Sequence, residues 1–122
     1  MINFVAVFIG GGLGALLRYC ISLIAKKYLG LALCGTFFVN ILGCFFIGYL
    51  LGITTHKVAL LTPELKLFLT VGLLGGLTTF STFSVEAFCL FKDGKILNAT
   101  IYLISSILFG LIATAVGYYI SR

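Results

Sequence analysis

Four long stretches of this chain carry almost no charge, and in 122 residues they leave room for little else. A helix rising ~1.5 Å per residue needs ~20 residues to cross a hydrocarbon core of ~30 Å, so four crossings consume ~80 residues. The connections must therefore be short, and large extramembrane domains are excluded. Read by uncharged apolar length, the runs extend from Asn3 to Ala25, Leu29 to Ile53, Lys66 to Phe91 and Ile96 to Ile120. Between them lie Lys26-Lys27-Tyr28, the longer Thr54 to Leu65 stretch, and Lys92-Asp93-Gly94-Lys95. The middle connection holds the only proline, Pro63, the only histidine, His56, read as a solvated side chain, and a helix start at Thr62-Pro63-Glu64. With 61% hydrophobic and 9% charged residues, a water-soluble domain with a charged surface is excluded. The expectation is one all-α integral membrane domain over residues 1–122, with four transmembrane helices.

The net charge of +5 would suggest nucleic acid in a soluble protein, but here the basic residues fall mostly between the apolar runs, and no nucleic-acid partner is expected. Lysine and arginine near helix ends set which side faces the cytoplasm. With four spans, Lys57, Lys66 and Arg122 share one side, while Lys26, Lys27, Lys92 and Lys95 share the other, with Arg18 able to snorkel toward them. So even a division gives little bias for a single orientation. The expectation is that copies insert both ways and pair as antiparallel homodimers. Four helices alone barely enclose a conduction path, and the chain holds no convincing internal repeat, so a second subunit would supply the inverted copy. Gly10 and Gly14, Gly48 and Gly52, and Gly72 and Gly76 form small-xxx-small pairs suited to close helix packing. The four cysteines lie within apolar runs without a CxxC pair and read as small buried thiols. No cleavable signal peptide is expected, since no basic segment precedes the first apolar run.

The polar chemistry concentrates in the third run, Gly72-Leu-Leu-Gly75-Gly76-Leu-Thr78-Thr79-Phe80-Ser81-Thr82-Phe83-Ser84. Three glycines followed by five hydroxyl residues make a poor continuous helix. If the helix breaks, carbonyls lose their partners at several kcal/mol each unless protein, water or an ion satisfies them. Carbonyls exposed at Gly75 and Thr78, doubled by a two-fold axis, would offer four hard oxygen ligands to a small cation. Composition alone leaves a second outcome open, a softened but intact helix whose hydroxyls bond back to its own carbonyls. Phe80 and Phe83 share a helical face, where a ring edge can contact an anion or simply pack. Asn40 places an amide with two N–H donors midway along the second run, one turn after Thr36. Tyr102, Ser106 and Gly110 follow each other at helical spacing on the fourth. Arg18 and Glu86 are the charges nearest the spans' interior and read as vestibule groups, with Glu86 paired to a lysine or lining an aqueous mouth. Neither a nucleophile with its base nor a metal triad nor a phosphate loop is present, so transport is expected rather than catalysis.

Gly10-Gly-Gly-Leu-Gly14 with Arg18, Gly35-Thr36-Phe-Phe-Val-Asn40-Ile-Leu-Gly43, and Gly75-Gly-Leu-Thr-Thr-Phe80-Ser-Thr-Phe83-Ser84 with Glu86 closely resemble the Fluc/CrcB family of small bacterial fluoride channels. The likeness spans nearly the whole chain. It implies four transmembrane helices with a broken third helix, assembled as an antiparallel, dual-topology homodimer in the bacterial inner membrane. It further implies two fluoride pores and one structural sodium ion bound by the carbonyls of Gly75 and Thr78 of both copies. Phe80 and Phe83 would line the pores edge-on with Ser81 and Thr82, Asn40 would donate to fluoride, and Tyr102 and Ser106 would continue the path. Gly110 departs from the family, in which a hydroxyl often stands at that position. The alternatives are a small multidrug-type exporter, which would use a carboxylate in its first helix that this chain lacks, and a membrane-complex assembly subunit.

Overall fold

The computed structural model describes residues 1–30, 32–56 and 61–122. Lys57 and the side chain of His56 lie outside the described residues. The chain forms α1 (Ile2–Leu29), α2 (Ala32–His56), a third span in two pieces, and α5 (Ile96–Ile120). The first piece, α3, covers residues 63–77: an α-helical turn, Pro63–Leu67, a π-helical stretch, Phe68–Leu74, and a last turn, Gly75–Leu77. The second piece is α4 (Phe80–Lys92). Among the described residues four helical segments are long and apolar enough to cross a bilayer, Pro63–Lys92 being the third, so this is a multi-pass membrane protein.

The spans run longer than apolar length alone indicates. The first was expected to end at Ala25, yet α1 continues through Lys26 and Lys27, whose positive charges favour a helix C-terminus, and closes at Gly30. Gly30 adopts φ 70°, the left-handed cap conformation open to glycine, and its N–H donates to the Lys26 carbonyl at 3.2 Å. α2 starts at Ala32 rather than Leu29 and runs past Ile53 to His56. Thr55 Oγ1 donates to the Leu51 carbonyl at 2.7 Å and Thr54 Oγ1 to the Leu50 carbonyl at 3.0 Å, so these hydroxyls are satisfied without ending the helix. The third span begins at Pro63, where Thr62 Oγ1 accepts from the Leu65 amide at 3.2 Å. α5 has the expected limits.

Little of this surface is covered by protein. Phe4 and Phe8 are each 82% exposed, and among the described residues Val39, Leu74 and Leu77 form a small buried cluster. Such apolar exposure is stable only in lipid, where association depends on close backbone approach rather than on hiding apolar area from water. The expected glycine pairs supply that approach. A side chain on Gly14 would meet the Leu77 amide at 2.8 Å and the Gly76 carbonyl carbon at 3.0 Å, and one on Gly72 would meet the Gly10 Cα at 3.0 Å, so α1 and α3 pack with almost nothing between them. Gly48 and Gly117 similarly bring α2 against α5. Gly14→Ala is expected to cost about 1–3 kcal/mol, because the obstructing atoms are backbone. Gly12→Ala, with no heavy atom within 4 Å, should be neutral or stabilising by up to ~1 kcal/mol. Thermal midpoints of the detergent-solubilised variants check the pair.

The third span is interrupted, but not at its glycines. Gly75 remains helical at φ −64°, ψ −36°, whereas Thr78 (φ −77°, ψ 155°) and Thr79 (φ −150°, ψ 116°) are extended. Gly72 and Gly76 face close neighbours, and the chain leaves helical geometry at the two β-branched threonines, the second of which caps α4.

Candidate functional site

Two side chains hold the interruption open. Asn40, on α2, grips the Thr79 peptide from both sides: its Oδ1 accepts from the Thr79 amide at 2.8 Å and its Nδ2 donates to the Thr79 carbonyl at 3.2 Å. This pairing fixes which way the Asn40 amide faces and leaves its second N–H free of that contact. Thr79 Oγ1 accepts from the Thr82 amide at 3.2 Å as the N-cap of α4 and donates to Thr82 Oγ1 at 2.9 Å.

These bonds have a direct electrostatic consequence. In an unbroken helix the Thr79 amide would bond the Gly75 carbonyl, and the Thr82 amide would bond the Thr78 carbonyl. Both amides are engaged elsewhere, by Asn40 and by Thr79 Oγ1, so the carbonyls of Gly75 and Thr78 are among those that lose their helical donors at the break. The break also sets the carbonyl-rich end of α3 beside the amide-rich start of α4, ends that favour cations and anions respectively.

A cleft of about 410 Å³ opens beside the break, lined by Asn40, Gly75, Thr78, Phe80, Phe83 and Ser106 together with residues of α2, α3 and α5. Phe80 is 79% exposed and Phe83 only 8%, their ring centroids 5.9 Å apart, and the Phe83 ring lies 5.2 Å from that of Tyr102. Ser106, which helps line the cleft, has its Oγ buried without a hydrogen-bond partner among the described residues. Asn40, Phe80, Phe83 and Ser106 are thus brought together at one cleft.

Other candidates are placed differently. Ser81 and Thr82 are not among the residues lining the cleft; Ser81 Oγ lies 3.3 Å from Thr79 Oγ1, and both side chains belong to the hydroxyl cluster that caps α4. Tyr102 is also outside the lining, and its hydroxyl donates its one proton to Glu86 Oε2 at 2.7 Å. Glu86 accepts a second bond at Oε1 from Thr36, at 2.8 Å. Among the described residues its bonds therefore come from two hydroxyls, on α2 and α5, rather than from a lysine. The buried Thr36, 2% exposed, selects this arrangement by offering its donor inside the bundle. Arg18 is half-buried on α1, with its Nε buried and unpaired among the described residues. Gly110 is buried, and a side chain there would meet Cys44 Sγ at 3.4 Å, so it packs α5 against α2 rather than lining the cleft. Residue spacing had shown neither the Thr36–Glu86–Tyr102 cluster nor the presence of Cys44 and Thr70 in the cleft wall, since each depends on how separate helices register.

A half-broken span whose freed backbone groups meet a mostly apolar cleft with a few polar groups, in a chain that otherwise faces lipid, belongs to the class of small multi-pass membrane proteins that handle ions at helix interruptions. The family model described as "CrcB-like protein, Camphor Resistance (CrcB)" matches residues 5–118. The chain belongs to this CrcB family. It is 39% identical over 118 residues to the fluoride-specific ion channel FluC of Aquifex aeolicus, covering 96% of this chain and 94% of that protein. Against the fluoride-specific ion channel FluC of Chloroflexus aurantiacus (strain ATCC 29366 / DSM 635 / J-10-fl) the identity is 44% over 123 residues, covering 100% of this chain and 97% of the relative. The Methylobacterium sp. (strain 4-46) protein of the same name is 41% identical over 122 residues, covering 100% of this chain and 98% of its own.

Proposed function

We propose that this chain is a passive, fluoride-selective channel that works as an antiparallel homodimer, with two pores and a sodium ion between the copies. The observation that carries the reading is the Asn40 amide, oriented by the Thr79 peptide so that one N–H remains for a cleft shared with Phe80, Phe83 and the unpaired Ser106 hydroxyl. The relatives' names supply the ion. Fluoride is small and tightly hydrated, so a selective path must replace its water with fixed donors, as filter carbonyls do for potassium. Ring edges at Phe80 and Phe83 add a weak positive surface without the trapping strength of a fixed cation.

The carbonyls of Gly75 and Thr78, which lose their helical donors, suit a hard monovalent cation, and two copies would contribute four such oxygens. Bound there, sodium would supply a fixed positive charge joining the two interruptions. The near-even division of lysines supports insertion in both directions. No energy source beyond the membrane potential is required: it is worth ~2.3 kcal/mol per charge per 100 mV and drives an anion out of a negative interior.

Purified protein in liposomes loaded with potassium fluoride tests the reading. Adding a potassium ionophore is expected to release fluoride without a proton gradient, with chloride retained under the same conditions. Proton-driven dye movement would favour an exporter, and silence to both would favour an assembly subunit. The antiparallel arrangement is checked separately by a C-terminal tag, which should be accessible on both faces of the native membrane; labelling from one face alone would refute it.

A further inference from the structure

We infer that Gly43 is a positioning residue for the interruption, acting as a socket for the Thr78 side chain, and that this steric key sets where the freed carbonyls and the Asn40 amide stand. The inference rests on the channel reading but concerns a residue to which that reading assigns no role. Gly43 follows Asn40 by three positions on α2, hence on the same face, and both residues address the extended segment. Asn40 holds Thr79 by hydrogen bonds, while Gly43 is buried directly against the Thr78 methyl.

A Cβ on Gly43 would overlap Thr78 Cγ2, and the next nearest atom, Thr78 Cβ, would be an ordinary 3.7 Å away. The conflict therefore lies with a single methyl group. That methyl is not free to turn aside, because Thr78 Oγ1 donates to the Leu74 carbonyl at 3.0 Å and so fixes the side chain's rotamer. An added methyl on α2 must push the extended segment away, carrying the Thr78 carbonyl with it and pulling the Thr79 peptide from Asn40. Serine at position 78 keeps the hydroxyl and its bond to Leu74 but removes Cγ2, which restores the room.

The test is the set Gly43→Ala, Thr78→Ser and the double variant. Two measurements are made on each: fluoride efflux from liposomes, and the thermal midpoint of solubilised protein in sodium chloride compared with N-methyl-D-glucamine chloride. Gly43→Ala is expected to slow efflux at least ~10-fold and to shrink the sodium-dependent rise in midpoint, while the double variant returns both to within ~3-fold of Thr78→Ser. A purely structural defect would lower the midpoint equally in both salts. Wild-type values in Gly43→Ala, or a double variant no better than Gly43→Ala, would overturn the inference. A wild-type protein lacking any sodium effect would refute the cation reading instead, and Gly43 would then stand or fall on efflux and its rescue.

Discussion

Phe80→Ile is expected to lower fluoride efflux at least ~100-fold, equivalent to ~2.7 kcal/mol of barrier, while leaving the fold and the elution position of the protein unchanged. The ring is 79% exposed in the single chain, so exchanging it for another apolar side chain should change the chain's own packing by no more than ~0.5 kcal/mol. What it loses is an aromatic ring at the cleft, whose polarised edge isoleucine cannot imitate. Phe83→Ile should abolish efflux as well, but with a stability cost of about 1 kcal/mol, because Phe83 is 8% exposed and its ring lies 5.2 Å from that of Tyr102. Efflux measured alongside size-exclusion elution separates the two effects. Normal efflux in both variants would remove the rings from the mechanism.

Asn40→Asp should be as damaging, and for a reason that separates donor chemistry from folding. A neutral aspartic acid can still accept from the Thr79 amide and donate to its carbonyl, the two bonds Asn40 makes at 2.8 Å and 3.2 Å. It would hold the interruption in place yet have no second proton to offer the cleft. An ionised aspartate keeps only the accepting bond and repels an anion. In either form efflux should fall at least ~100-fold with the fold retained, whereas a role as a brace alone would leave the neutral form with wild-type efflux. Wild-type efflux in Asn40→Asp would show that the remaining N–H is not used.

Much of the architecture was legible because lipid is an undemanding solvent to read. Hydrocarbon forces backbone groups to pair within a segment, so uncharged length translates into spans, and the limits of the fourth were read correctly from the chain alone. The lysines and threonines at the ends of α1 and α2 were harder to place, since they are polar by composition yet are accommodated by a helix terminus or by bonding back to it. The glycine-and-hydroxyl run marked the region of the break and left open whether a break occurs.

By itself, then, the order of residues determined the number of membrane-crossing segments, the region in which the third would weaken, and which residues share one helix's face, as Phe80 does with Phe83 and Tyr102 with Ser106, because spacing along a helix specifies a shared face. Only the tertiary structure decided that the chain parts at Thr78–Thr79, that Asn40 occupies the Thr79 peptide, that Glu86 receives Thr36 and Tyr102, and that Gly43 accommodates a methyl group. Each of these depends on the depth and rotation at which two helices meet, and close packing in lipid resolves that register through single atoms rather than through residue class.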